Sequence, residues 1–152
     1  MSTVTYRGQL AIGEEAELKL STNNGLTGYR IKQFKIMSST PGVGSTNMEL
    51  IGKVTLTSED KTSSISTSVN FNDPSLVAVR CVFYSGNTNP TSQEIIMDGE
   101  IFNQDVFVNI TDAAGGTIPC NYFLELEKMK LDLNASTIST LKNIRQSKAD
   151  TL

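Results

Sequence analysis

The stretch Tyr122–Leu133, Tyr-Phe-Leu-Glu-Leu-Glu-Lys-Met-Lys-Leu-Asp-Leu, is the longest alternation of apolar and polar residues in the chain. Successive side chains of a strand point to opposite faces, so this pattern reads as a half-buried β-strand. Its apolar parity changes partway. Tyr122, Leu124 and Leu126 share one face, whereas Met129, Leu131 and Leu133 share the other. A bulge or bend near Glu127 and Lys128 would account for the change, giving a core half at 122–126 and an exit half at 129–133. A strand bent there could leave one sheet and cross to the next.

The stretch also marks a boundary. Before it, short apolar runs are punctuated by Gly, Pro, Asn, Asp, Ser and Thr, the signature of strands joined by turns. After it comes a helical pattern over Ala135–Gln146, with Asp132 or Asn134 placed to cap it and Ile138, Leu141 and Ile144 forming a narrow apolar stripe. Residues 1–133 therefore read as a β-sandwich domain with an N-terminal arm, and 134–152 as a C-terminal helical tail.

Working back through the chain, Ser2–Gly13 is a first strand or a terminus lying on a neighbour, with Tyr6, Leu10 and Ile12 as its anchors. Ala16, Leu18 and Leu20 alternate with Glu17 and Lys19, and Asn23-Asn24-Gly25 signals a turn. Tyr29–Met37 is a strand whose parity slips between Ile31 and Phe34, so one extra residue near Lys32 or Gln33 predicts a β-bulge. Met48–Thr57 sets Met48, Leu50, Gly52, Val54 and Leu56 against Glu49, Lys53, Thr55 and Thr57, with Ile51 the exception on the polar side, the pattern of a sheet with one wet face.

Leu76–Tyr84 is apolar on both parities, so it reads as a central strand covered on both faces. Ser58–Ser68 and Ser85–Ser92 read as loops. Val69–Phe71, Ile95–Met97, Glu100–Phe102 and Val106–Ile110 read as short strands, and Val106–Ile110 with Tyr122–Leu126 forms the best hairpin candidate. About eight or nine strands with regular turn signals predict an all-β chain, an antiparallel β-sandwich or jelly roll with a short C-terminal helix.

The chain has 152 residues, 38% apolar and 19% charged, enough for one domain with a real core. A net charge of -3 argues against a direct nucleic-acid role, which needs an excess of Lys and Arg on one face. No apolar run is long enough to span a bilayer, and Met1–Leu20 lacks the basic start and apolar centre of an export signal. The chain thus reads as soluble and not exported by the general route. Cys81 and Cys120 lie in apolar, strand-like surroundings, as small buried hydrophobes or, if their strands are adjacent, as a disulfide.

The count of histidines is zero, which removes Ser-His-Asp and Cys-His catalytic systems, histidine bases and histidine zinc sites together. Asp98, Glu100 and Asp105 could bind a hard cation but match no calcium-loop spacing. The Gly42-Val43-Gly44-Ser45-Thr46 loop lacks the lysine of a phosphate cradle. Asn109-Ile110-Thr111 and Asn134-Ala135-Ser136 match the glycosylation triplet, and Arg30, Lys32 and Lys35 could form a basic strand edge. No catalytic residue, metal ligand or cofactor is indicated, and the chain reads as a non-enzyme.

The tail carries Lys142, Arg145 and Lys148 on one side and its apolar stripe on another. A helix this short is marginal alone, so it must fold back on its own sandwich or dock on a neighbouring subunit. The partner-binding candidates are Tyr6, Leu10, Ile138, Leu141, Lys142, Ile144 and Arg145.

The chain resembles small virion structural proteins of marine tailed phages. The resemblance rests on Thr5-Tyr6-Arg7-Gly8-Gln9-Leu10, on Gly28–Ile36 followed by Ser39-Thr40-Pro41-Gly42, and on Glu100-Ile101-Phe102-Asn103-Gln104-Asp105. It continues through Asn121–Glu127 and Leu131-Asp132-Leu133-Asn134 to Thr140–Arg145. It implies a non-enzymatic capsid decoration or cement protein in the virion, homo-oligomeric and touching other virion proteins such as the major capsid protein. The alternative is a ligand- or receptor-binding β-sandwich of a tail or cell surface, for which Tyr6, Tyr29, Tyr84 and Phe102 are the aromatic candidates.

Overall fold

The computed structural model describes residues 2–22, 24–41, 47–59, 64–84, 91–97 and 99–151, with side chains to residue 142. In chain order its elements are β1 (Ser2–Leu10), β2 (Glu15–Leu18), β3 (Thr27–Ser38), β4 (Met48–Thr55), β5 (Leu76–Tyr84), β6 (Thr91–Ile96), β7 (Val106–Asp112), β8 (Cys120–Lys130) and α1 (Leu133–Thr151). The strands form two antiparallel sheets, a three-stranded one ordered β1-β8-β3 and a five-stranded one ordered β2-β7-β4-β5-β6. They pack face to face as a β-sandwich, with the helix following the last strand.

Strand β8 organises the smaller sheet because its alternation matches both neighbours. Leu124 lies opposite Tyr6 on one side and Phe34 on the other, and Leu126 lies opposite Val4 and Ile31. Phe34, Leu124 and Leu126 are fully enclosed and meet Leu50, Val54, Val106, Val108 and Ile110 of the larger sheet in one core. Fully burying each such side chain contributes about 1.5–3 kcal/mol. The side chains of the smaller sheet press directly on the larger at Gly52, where an added Cβ would stand 2.8 Å from Ile36 Cγ2 and 3.0 Å from Phe34 Cζ.

The bulge expected in the second long strand is present: the β3–β8 register shifts between Ile31 and Gln33. The bend expected at Glu127–Lys128 is not. There β8 keeps an unbroken register with β1 to Lys128 and with β3 to Lys130, so it stays in one sheet throughout. Its parity changes because the strand outruns the core; Leu131 then folds against Gly28, and its N–H bonds to the Leu26 carbonyl at 2.8 Å.

Other expectations are corrected by topology. Strands β7 and β8 are in different sheets, so Val106–Ile110 and Tyr122–Leu126 are not a hairpin. The 113–119 connection crosses the sandwich, and Ser39 N–H bonds to the Pro119 carbonyl. Val69–Phe71 is not a strand, and β6 begins at Thr91, inside the expected loop. Phe102 makes only an isolated bridge to Tyr29. The 42–46 loop lies outside the described residues.

Strand β4 does not have a wet face. Lys53 is only 3% exposed. Its ammonium donates to Glu59 Oε2 at 3.0 Å and to the carbonyls of Ser66 and Ser68 at 3.0 and 3.3 Å. These bonds draw the chain after β4 across the outside of the larger sheet. Glu15 of β2 ties down the same segment, accepting the Glu59 N–H at 2.9 Å and the Ser58 hydroxyl. A charge removed from water needs such partners, and taking one away leaves the other stranded.

Lys53→Ala is therefore expected to lower unfolding stability by about 3 kcal/mol. Glu59→Gln should lower it less, since the carbonyl acceptors of Lys53 remain. Urea unfolding of both variants checks this, and a loss below about 1 kcal/mol for Lys53→Ala would place the segment's anchorage elsewhere.

Candidate functional site: a helix on a polar seat

Helix α1 starts where sequence chemistry places it. Asp132 is the N-cap: its Oδ1 accepts the Ala135 N–H at 2.7 Å and its carbonyl accepts the Ser136 N–H at 2.9 Å. A carboxylate there also complements the positive end of the helix dipole.

The helix is held on the sandwich through polar groups. Asn103, fully buried, donates from Nδ2 to the Thr140 hydroxyl at 2.9 Å, to the Gly25 carbonyl at 3.0 Å and to the Ser136 carbonyl at 3.3 Å. The Ser136 hydroxyl donates to the same Gly25 carbonyl at 2.7 Å. Gly25 has φ of +65°, which favours glycine, and an added Cβ there would lie 3.1 Å from Ser136 Oγ, a tight approach that would press on the seat. The Lys142 ammonium pairs with Glu100 beside this seat.

The face against the body is thus Ser136, Ser139 and Thr140; Ile138 and Leu141 point away from it, and Leu133 stands exposed at the start of the helix. Leu133 is 76% exposed, Ile138 66% and Leu141 47%. Of the two expected placements the structure shows the tail folded back on its own sandwich, by its polar side, and its apolar side is left without cover among the described residues. Ile144 and Arg145 continue the helical backbone, with side chains outside the described residues.

At the other end of the chain, the Leu10 side chain is buried in the core, and Tyr6 is half-buried against that core. Tyr29 and Phe102, offered as recognition aromatics, are also core residues, stacked with ring centroids 6.3 Å apart. Tyr84 packs partly on the core. Arg30 and Lys32 are not a free basic edge, because both pair with Glu127, at 2.9 and 3.3 Å.

The acidic trio does not assemble. Asp98 lies outside the described residues, Glu100 pairs with Lys142, and Asp105 Oδ1 accepts the N–H groups of Leu20 and Ser21 at 2.8 and 2.9 Å. No group of three His, Cys, Asp or Glu side chains suited to a metal occurs among the described residues. Asn109 is fully enclosed within β7, so the first glycosylation-like triplet offers no accessible acceptor. Both cysteines are free thiols. Burial pushes Cys120 up to about 11, with the Met37 carbonyl contact and Asp112 as lesser influences.

A concavity of about 390 Å³ lies on the outer side of β5 and β6. Val79, Cys81, Gln93 and Ile95 form its floor and Val69, Asn70 and Phe71 its rim, with Phe71 61% exposed.

Sequence reasoning missed Asn103, Gly25, Ser136 and Thr140. A signal was present: Ser136, Ser139 and Thr140 are spaced i, i+3 and i+4, the geometry of one helix face, opposite the apolar stripe. No protein-family model matches the chain, and a comparison with curated proteins finds no match either.

Asn103→Ala removes the donors to three acceptors. It is expected to cost about 1–3 kcal/mol and to raise amide exchange throughout α1. Unchanged exchange in α1 would mean that the seat does not hold the helix.

Acid should loosen the fold at two further carboxylates. Burial alone would raise Asp105, but the backbone N–H groups of Ser21 and Leu20, helped by Lys19, outweigh it and hold the carboxyl below its ordinary 3.8. The Arg30 hydrogen bond foremost, then Lys32, holds Glu127 below its ordinary 4.5 despite some desolvation. A depressed folded pKa contributes stability that is present above the ordinary value and lost as pH falls through the folded one. Stability should thus decline below about pH 4.5, and Asp105→Asn should start lower and fall less steeply. Parallel denaturant titrations across pH 6 to 2 check this; equal slopes would contradict it.

Proposed function

We propose that this protein is a non-enzymatic structural component of a symmetric assembly, a virion capsid decoration or cement protein acting through subunit–subunit contacts. The observation that carries the reading is the outward apolar face of α1. Ile138 and Leu141, spaced i and i+3, form an exposed apolar pair on a helix whose other face is fixed to the body. Exposed apolar patches of this kind mark interaction sites, and symmetry multiplies each modest contact. The resemblance to marine phage virion proteins and the lack of histidine support the same reading. Its natural partners are further copies of the chain and a major capsid protein.

A second reading, a ligand- or receptor-binding module, is favoured by the cleft around Phe71 and Ile95. Two of its four aromatic candidates are consumed by the core, which leaves the cleft as its main support. Glycan-array binding that is lost in Phe71→Ala would favour this reading over assembly.

The helix sits on polar groups, the Asn103 carboxamide and the Gly25 carbonyl, that water can satisfy when it is gone. Deleting residues 134–152 is therefore expected to leave the sandwich folded and to impair assembly. If the truncated chain unfolds, the helix belongs to the core and the reading is lost. Ile138→Ser with Leu141→Ser should shift the thermal midpoint by no more than about 2 °C. The same pair should weaken self-association or capsid binding about tenfold or more. Mass spectrometry of purified particles gives the position: on the order of hundreds of copies indicates the shell, about a dozen or fewer the portal or tail, and none removes the virion reading.

A further inference from the structure

Sheet edges present unpaired N–H and C=O groups, and natural proteins blunt them with short strands, charges, proline or covering segments. Three of the four edges here are managed in this way. On β3, Tyr29 and Phe102 exchange N–H···O bonds at 2.8 and 3.0 Å, and Glu94 accepts the Phe34 N–H at 3.1 Å. Strand β2 is 4 residues long and carries Glu15 and Glu17, and Asp105 takes the N–H groups just beyond it. Strand β6 has 6 residues and includes Glu94.

The fourth edge is different. Strand β1 runs for 9 residues, Ser-Thr-Val-Thr-Tyr-Arg-Gly-Gln-Leu, with good strand formers, no proline and Arg7 as its one charge. Every residue from Ser2 to Leu10 pairs with β8 on one side. Its other side has no partner strand among the described residues.

We propose that β1 pairs antiparallel with β1 of a second copy about a two-fold axis at Tyr6, joining two three-stranded sheets into one. This deepens the assembly reading above and rests on it, naming a second copy as partner and β1 as the edge.

Charge complementarity selects the partner and the register. With the axis at Tyr6, Arg7 of the second copy lies opposite Thr5, and Thr5 already lies opposite Glu125 of its own β8. Neighbouring strands are about 4.8 Å apart, so Arg7 and Glu125 would flank the short Thr5 at about 10 Å between backbones, within the combined reach of two long side chains. In the single protomer Arg7 is exposed and Glu125 half-buried, and neither has an ion-pair partner among the described residues.

The two-fold axis makes this contact twice. An axis at Arg7 would set the two arginines face to face, which is unfavourable. An axis at Thr5 would bring Arg7 to Thr3, beside Glu127, already occupied by Arg30 and Lys32. The Tyr6 register alone of these joins a free cation to a free anion.

Sedimentation equilibrium and native mass spectrometry of the full chain test this through a charge-swap cycle. The wild-type chain should dimerise. Arg7→Glu and Glu125→Arg should each raise the dimer dissociation constant about tenfold, and the double variant should restore it to within about threefold. Thermal midpoints taken at dilutions where the chain is monomeric separate folding defects from pairing defects. The Ile138→Ser, Leu141→Ser variant should keep the β1 dimer while losing larger association. A dimer indifferent to both charge reversals, or unrestored by the double swap, overturns the β1 pairing. If association then vanishes with the helix variant, the assembly reading stands without it; if every form is monomeric and no particle contains the chain, both fail.

Discussion

A single buried carboxamide decides how this molecule meets its surroundings. Asn103 has no exposed surface and sends its N–H groups to the Gly25 carbonyl and to two points on α1. Each hydrogen bond contributes about 1 kcal/mol, but a partner left unpaired in the interior costs about 1–3 kcal/mol, so the seat is specific as well as attractive. A helix docked by its apolar stripe would have hidden Ile138 and Leu141. This one is docked by Ser136, Ser139 and Thr140, and so remains attached to the body while its apolar side stays exposed.

The sandwich is correspondingly lopsided. The larger sheet is closed over β4 by the segment that Lys53 and Glu15 draw across it. The smaller sheet keeps an open outer face on which Phe123 lies between Arg7 and Lys35, and Met37 is 54% exposed. Ser2 pairs with Lys128, close before α1 begins at Leu133, so the open edge of β1 starts at the end of the sheet from which the helix emerges. Edge, helix and open sheet face are connected through β8, the central strand of the smaller sheet.

Much of the fold was legible because it follows from local pattern. The parity slip after Ile31 is the bulge, Asp132 is the cap, and the doubly apolar Leu76–Tyr84 run lies between two neighbours. Legibility failed where a long-range partner decides. The slip within Tyr122–Leu133 looked identical on paper to the one after Ile31, yet β8 is unbroken, because a strand that outruns its core also loses its alternation. Lys53 read as an exposed strand residue because Glu59 and the Ser66 and Ser68 carbonyls, which enclose it, give no pattern in sequence. The candidate contact surface was half legible. Ile138 and Leu141 stood out, whereas the face that aims them outward depends on Asn103, which lies in the unpatterned run Asn-Gln-Asp.

The central claim is that α1 presents its apolar side to a partner while its polar side holds the body. The most direct measurement is thiol labelling of two neighbouring positions, Ile138→Cys and Ser139→Cys, followed by peptide mass spectrometry, in the dispersed protein and in the assembled state. In the dispersed protein Cys at 138 should label rapidly and Cys at 139 slowly, matching exposures of 66% and 8%. On assembly, labelling at 138 should be suppressed. Slow labelling at 138 in the dispersed chain, or labelling that assembly leaves unchanged, would contradict the account.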